Sequence, residues 1–175
     1  KEIKRYLRIW TQTILPSAIT MSLYFVIFGS LIGSRIGKMG GFTYMEFVVP
    51  GLIMMAIVTN SYSNVVSSFY GSKFGHSVEE LLVSPVSNFV ILMGYVVGGV
   101  SRGLLVAVVV TVVSLFFTHL KIHSYLVVAV VVLMTSTLFA LAGFINAVYA
   151  NSFDDISIIP NFVLTPLTYL GGVFY

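Results

Sequence analysis

The chain has 175 residues, of which 58% are hydrophobic and only 9% are charged. A soluble domain carries about 25% charged residues, so these few charges cannot cover a water-exposed surface, and most of the exterior is expected to face lipid. The net charge of +3 is too small to indicate a nucleic-acid partner, and the absence of cysteine excludes disulfides, thiolate metal sites and cysteine nucleophiles in this chain.

Basic residues before the first apolar stretch predict the orientation of the chain. Four cations lie within the first ten positions, at Lys1, Lys4, Arg5 and Arg8. This excess favours a cytoplasmic N-terminus. Residues 1–12 also carry Ile3, Leu7 and Trp10 at spacings of four and three, which is typical of an amphipathic helix on the inner membrane surface. A plain charged anchor before the first span is the alternative.

Five apolar stretches are each long enough to cross a bilayer, whose hydrocarbon core of about 30 Å needs about 20 helical residues. They cover residues 14–32, 47–66, 89–117, 124–150 and 156–175. Runs that are apolar at every position, such as residues 106–110, contradict the alternation of a β-barrel strand. The sequence therefore predicts an all-α integral membrane protein, a bundle of about five transmembrane helices that forms one domain over residues 1–175.

The second stretch carries Asn60, Asn64 and Ser68 four residues apart on one helix face. Such a polar stripe either lines a substrate path or bonds to neighbouring helices, and the sequence leaves both roles open. The fifth stretch is preceded by Asp154 and Asp155, which suit a helix N-terminus through capping and the helix dipole. Its two prolines, at positions 160 and 166, predict a bend.

Arg102 is the one charge deep inside a predicted span. Its exposure to lipid would cost at least ~2.5 kcal/mol, so the side chain is expected to face protein or a wet cavity. Gly94, Gly98 and Arg102 recur every four residues on one face, and Gly99 and Gly103 form a second small pair that permits close helix packing. A dimer or pathway face is one hypothesis, and intrachain packing with a snorkelling Arg102 is the other.

No catalytic set is recognisable in the chain. It lacks a phosphate-binding G-x-x-x-x-G-K-[ST] loop, and the nearest piece, residues 71–73, has neither the spacing nor the context. His119 and His123 lie four residues apart, but no carboxylate or third ligand lies near them in the sequence, so no metal site is predicted.

The longest hydrophilic connection, residues 67–88, contains a short helical patch between Gly75 and Pro85. The stretch GHSVEELLVSPVS, residues 75–87, resembles the cytoplasmic loop of ABC-2 type permeases. So does FDDIS at residues 153–157, leading to PLTYLGGVFY at 166–175. The resemblance covers nearly the whole chain. These permeases belong to bacterial ATP-driven exporters of polysaccharides, nodulation factors, drugs and related molecules.

The resemblance implies a permease homodimer in the bacterial inner membrane, with two ABC ATPase subunits on its cytoplasmic side. ATP and Mg would bind those partners, and this chain would hold no cofactor. The family pattern has six spans, so the chain is expected to be truncated, with the sixth span after residue 175. The coupling helix that docks into the ATPase would consist of Val78, Glu79, Glu80, Leu81, Leu82 and Val83.

The favoured function is therefore that of the transmembrane permease subunit of an ATP-driven exporter, which is not itself an enzyme. A secondary transporter or channel without an ATPase is the first alternative, and it predicts acidic or basic pairs at the membrane midplane. A membrane enzyme such as a lipid transferase is the second, and it predicts a cluster of catalytic side chains at one interface.

Overall fold

The computed structural model describes residues 4, 8, 10–36, 38–39, 41–119 and 123–174. Four helices in this part of the chain are long and apolar enough to cross a membrane. They are α1 (Trp10–Ile36), α2 (Tyr44–Phe74), α4 (Asn88–Ser114) and α5 (Tyr125–Tyr149). A short helix, α3 (Ser77–Val83), connects α2 to α4. The last helix, α6, covers residues 153–170 in three segments, Phe153–Ile159, Pro160–Leu164 and Thr165–Leu170.

The predicted fold class, an all-α integral membrane protein, is confirmed. The described β-structure is a hairpin of two-residue strands, β1 (Lys38–Met39) and β2 (Phe42–Thr43), ahead of α2. The first four predicted spans overlap the four long helices. The fifth overlaps α6, which is not among those four, so its crossing of the membrane stays a prediction. Ile3 and Leu7 of the predicted amphipathic segment lie outside the described residues, as do Lys1, Arg5 and Tyr175.

Two helices contain π-helical turns. In α1 the backbone forms a turn at Ile14, two residues before Pro16, and a π-helical segment at Ile27–Ile32. In α6 the wide segment is Pro160–Leu164, and the N–H of Thr165 bonds to the carbonyl of Pro160. A proline lacks the N–H that an α-helical bond needs, so the backbone accommodates Pro160 by a change of helical pitch.

The central helix of the bundle is α2, which packs against α1, α4 and α5. Its N-terminus is fixed by a capping box, in which the Thr43 side chain accepts from the Glu46 N–H and Glu46 accepts from the Thr43 N–H at 2.8 Å. Glycines on α4 and α5 allow these two helices to pack close against α2. A Cβ at Gly99 of α4 would lie 2.9 Å from the Ser61 carbonyl oxygen, and one at Gly143 of α5 would lie 2.7 Å from that of Tyr62.

Aromatic contacts hold the two ends of the bundle. At one end, the ring of Phe69 on α2 packs against Tyr95 of α4 and Phe144 of α5. At the other end, Phe28 of α1 packs against Tyr44 and Phe174. The connection that contains α3 therefore lies at the first end, opposite the hairpin. In the predicted topology, successive connections lie at alternate ends of the bundle, and the structure agrees with this. Which end faces the cytoplasm stays a prediction.

Candidate functional site

Arg102 joins three helices through neutral oxygen atoms. From α4 its guanidinium donates to the side-chain oxygens of Asn64 at 3.4 Å and Asn60 at 3.3 Å, both on α2. It also donates to the backbone carbonyl of Thr13 on α1 at 3.5 Å. These distances lie at the long end of the hydrogen-bond range. We call these four residues the Arg102 cluster. It satisfies the expectation that this charge faces protein and not lipid.

The Arg102 cluster lies level with the middle of α2 and α4. Asn60 and Asn64 are near the middle of α2 (Tyr44–Phe74), and Arg102 is in the middle of α4 (Asn88–Ser114). On α1 the cluster contacts the backbone at Thr13.

The polar stripe predicted on α2 is buried inside the chain. Asn60, Asn64 and Ser68 are all buried, with Asn64 only 1% exposed. Asn60 also donates to the Ala56 carbonyl at 2.9 Å and contacts the Ser17 hydroxyl of α1 at 3.3 Å. In this structure the stripe therefore bonds to neighbouring helices, and its role along a transport path stays a prediction.

The two sets of small residues on α4 have different surroundings. Gly98 is buried and Arg102 is half-buried, but Gly94 is exposed and a Cβ added there would meet open space. Gly99 and Gly103 instead face α2, where a Cβ at Gly103 would overlap the Ser61 hydroxyl. The second pair thus mediates packing within the chain. The first set stays a predicted dimer or pathway face.

A groove runs between α2 and α6. Val66, Ile156 and Pro160 contribute to its lining, but we call it the polar groove after the four polar residues that also line it. Its volume is about 280 Å³, and its polar lining consists of Ser63 and Ser67 on α2 and Ser157 and Asn161 on α6. The Ser67 and Ser157 hydroxyls donate to backbone carbonyls of their own helices, at 2.7 and 3.2 Å. Ser67, Ser157 and Asn161 were not predicted as site residues, although each pair has the i, i+4 spacing that places two side chains on one helix face.

The short helix α3 projects from the bundle as a partly apolar element. It follows His76, whose φ of 56° is left-handed, and ends before the extended Ser84. Of its four apolar residues, Val78 packs against the core of α2, α4 and α5, whereas Leu82 and Val83 are 63% and 87% exposed. The helical patch predicted at this position is confirmed.

Two further apolar side chains, Phe74 and Val86, are exposed on either side of α3. We call Phe74, Leu82, Val83 and Val86 the α3 patch. Acidic residues accompany it, since Glu79 and Glu80 are both exposed and Glu79 lies 3.0 Å from the His76 ring. The sequence analysis named the middle of this patch but missed Phe74 and Val86, which flank the helix.

The predicted capping at the start of α6 is made by Asp155. Its carboxylate accepts from the backbone N–H groups of Asn151 at 2.9 Å and Ser152 at 3.0 Å. The Ser152 hydroxyl accepts from the Asp155 N–H in return, which completes a capping box. These backbone hydrogen bonds favour the carboxylate and lower the pKa of Asp155.

Comparison with known proteins finds one family. The family model described as ABC-2 type transporter matches residues 1–175. The chain is 62% identical to the inner membrane transport permease YadH of Escherichia coli strain K12, over all of this chain and 68% of that protein. It is 22% identical to nodulation protein J of Neorhizobium galegae, over 86% of this chain and 58% of that protein. No solved structure matches the chain.

Proposed function

Because the chain belongs to the ABC-2 type transporter family, we propose that it is the permease subunit of an ATP-driven exporter in a bacterial inner membrane. ATP and Mg would bind a separate ABC ATPase, which the α3 connection would contact on the cytoplasmic side. Two named relatives support this proposal, one a transport permease of the inner membrane and the other a nodulation protein. The observation that carries it is the exposed α3 patch at the end of the membrane bundle.

The α3 patch suits a protein partner. Leu82 and Val83 stand in a connection between two membrane helices, where water-exposed apolar side chains gain nothing. Burial of each in a groove would contribute about 1.5–3 kcal/mol. The exposed Glu79 and Glu80 could pair with basic groups on the rim, but such pairs add only about 0–1 kcal/mol each. Apolar docking would therefore supply most of the affinity.

The polar groove suits a path between two copies of this permease. Ser157 and Asn161 of α6 are exposed on a membrane bundle, where polar groups are unfavourable against lipid. A second copy that packed over the groove would remove them from lipid and would enclose a polar channel. At the other end, the rings of Phe28 and Tyr169 stack on Phe174, so α1 and the end of α6 are joined there. This arrangement supports a path that is closed at the end opposite α3.

A secondary transporter receives less support. Ion-coupled transport is expected to use charged pairs at the midplane. Hydrogen bonds from Arg102 to Asn60, Asn64 and Thr13 link α4 to α2 and α1. Membership of the ABC-2 type transporter family is what favours an ATP-driven permease over a secondary transporter.

Recovery of the ATPase with the full-length permease tests the proposal. Leu82→Asp combined with Val83→Asp removes the burial of two side chains, so affinity should fall by about 3 kcal/mol or more, which is over 100-fold. Phe116→Asp is the matched control, because Phe116 is 84% exposed and lies just after α4, at the far end of the bundle. Equal ATPase recovery with the double variant and the wild type would exclude α3 as the docking site.

A further inference from the structure

The end of α2 is where α3 joins the bundle. α2 has 31 residues and is therefore about 46 Å long, against a hydrocarbon core of about 30 Å. The excess length is accommodated by tilt or by extension of the helix beyond the hydrocarbon core. Only Gly75 and His76 separate the last residue of α2, Phe74, from α3. A force applied to α3 therefore reaches the last turn of α2 first.

Lys73, in that last turn, is bonded to the end of α5. Its ammonium donates to the backbone carbonyl of Val148 at 2.9 Å and to that of Ala150 at 2.7 Å. The last four carbonyls of a helix have no intrahelical N–H partner, and the helix dipole favours a cation there. Hydrogen bonds from a charged donor are also stronger than neutral ones. One side chain of α2 thus caps α5 through a carbonyl that lies 75 residues further along the chain.

The same turn of α2 also holds the start of α6. Phe153, the first residue of α6, packs edge-on against the rings of Tyr70 and Phe74, with centroids 4.9 and 5.1 Å apart. Only residues 150–152 separate the carbonyl ends of α5 from α6. The last turn of α2 is therefore fixed to both sides of the α5–α6 junction.

We propose that Lys73 is a positioning residue that fastens α3 to the α5–α6 junction, so that movement of α3 on the ATPase reaches α6. This inference rests on the proposed permease function and deepens it, because α6 carries Ser157 and Asn161 of the polar groove. The ring contacts of Phe153 join side chains of α6 and α2. The two Lys73 hydrogen bonds instead bind defined backbone carbonyls and tie the end of α5 to the last turn of α2.

Hydrogen exchange of the full-length permease, alone and with its ATPase, tests the proposal without any need for the transported substrate. In the permease alone, Lys73→Met should speed amide exchange at residues 149–157, because the cap on α5 is lost. On addition of the ATPase with a non-hydrolysable ATP analogue, amide exchange in the wild type should slow at α3. The exchange rate at residues 149–157 should change as well. Lys73→Met should keep the change at α3 and lose the change at the junction.

Two further variants separate positioning from general stability. Lys73→Arg keeps a charged donor and should restore most of the transmitted change. Ser72→Ala is the matched control in the same turn. It removes the 3.1 Å bond from the Tyr95 hydroxyl of α4 and the 3.0 Å bond from the Ser72 hydroxyl to the Ser68 carbonyl of α2, and it leaves Lys73 in place. It should keep both changes. If Lys73→Met fails to fold, Lys73→Gln, with a neutral donor, should give an intermediate loss.

The outcomes also distinguish this inference from the proposed function. If the ATPase gives the wild type no protection at α3, docking through α3 is wrong, and the exchange of the permease alone still decides whether Lys73 fastens the junction. Unchanged exchange at residues 149–157 in Lys73→Met would overturn the inference. A transmitted change of wild-type size in Lys73→Met would overturn it as well.

Discussion

Substitution of Gly99 by valine should destabilise the bundle, whereas the same change at Gly94 should not. Both glycines lie on α4, so the change in helix propensity is the same and cancels in the comparison. At Gly99 a Cβ would lie 2.9 Å from the Ser61 backbone oxygen, and that backbone can move only with the whole of α2. At Gly94 a Cβ meets open space.

Overpacking of this kind costs about 1–3 kcal/mol. For a protein of this size, 1 kcal/mol corresponds to about 2–4 °C in Tm, so Gly99→Val should melt about 2–12 °C below Gly94→Val. Thermal unfolding of the two purified variants in one detergent measures this difference. Equal melting temperatures would refute the close packing of α2 against α4. The oligomeric mass of Gly94→Val reports separately on the predicted dimer face, because only a protomer contact at Gly94 would make this variant dissociate.

Arg102→Leu should insert normally but loosen α1 around Thr13, which Arg102 bonds to α4, and Arg102→Lys should restore the link only in part, since an ammonium cannot reach both asparagine oxygens in the planar geometry of a guanidinium. Proteolysis of α1 in membranes compares them, and equal resistance of all three proteins would contradict the link. Folding lowers the pKa of Asp155 from 3.8, so the wild type is more stable than Asp155→Asn only while this carboxylate is ionised. The difference in stability should be complete above about pH 5 and should vanish as pH falls below 3.8. Melting curves against pH test this, with Asp154→Asn as the control. A cysteine at position 119 should react with a membrane-impermeant reagent in intact cells and one at position 76 should not, and the reverse pattern would invert the topology.

The sequence predicted the membrane helices well because apolar length is a signal that a single stretch carries by itself. The ends of the helices were harder to predict, since the predicted span 89–117 includes three residues beyond Ser114 that form a turn. The predicted bend of α6 at Pro160 takes the form of a π-helical segment. Neither detail is encoded in hydropathy, because both depend on which backbone bonds the neighbouring residues can supply.

The candidate site was harder to predict, because helix rotation decides which polar face is exposed. Spacing identified Asn60 and Asn64 as one face of α2, but only packing against α1 and α4 shows that this face points inward to Arg102. Ser63 and Ser67, on a different face, line the groove instead. The Lys73 bonds to Val148 and Ala150 could not be predicted at all, since they join residues far apart in sequence through backbone carbonyls.

The docking of the α3 patch on an ATPase is central to the proposed function. A photo-crosslinking amino acid at Val83 of the full-length permease, co-expressed with its ATPase subunit, tests this contact directly. Val83 is 87% exposed, and Phe116, at the opposite end of the bundle and 84% exposed, is the matched position. If the α3 patch docks on the ATPase, position 83 should give a covalent adduct with it and position 116 should give none. An intact complex that yields no adduct from position 83, or yields one only from position 116, would contradict this docking.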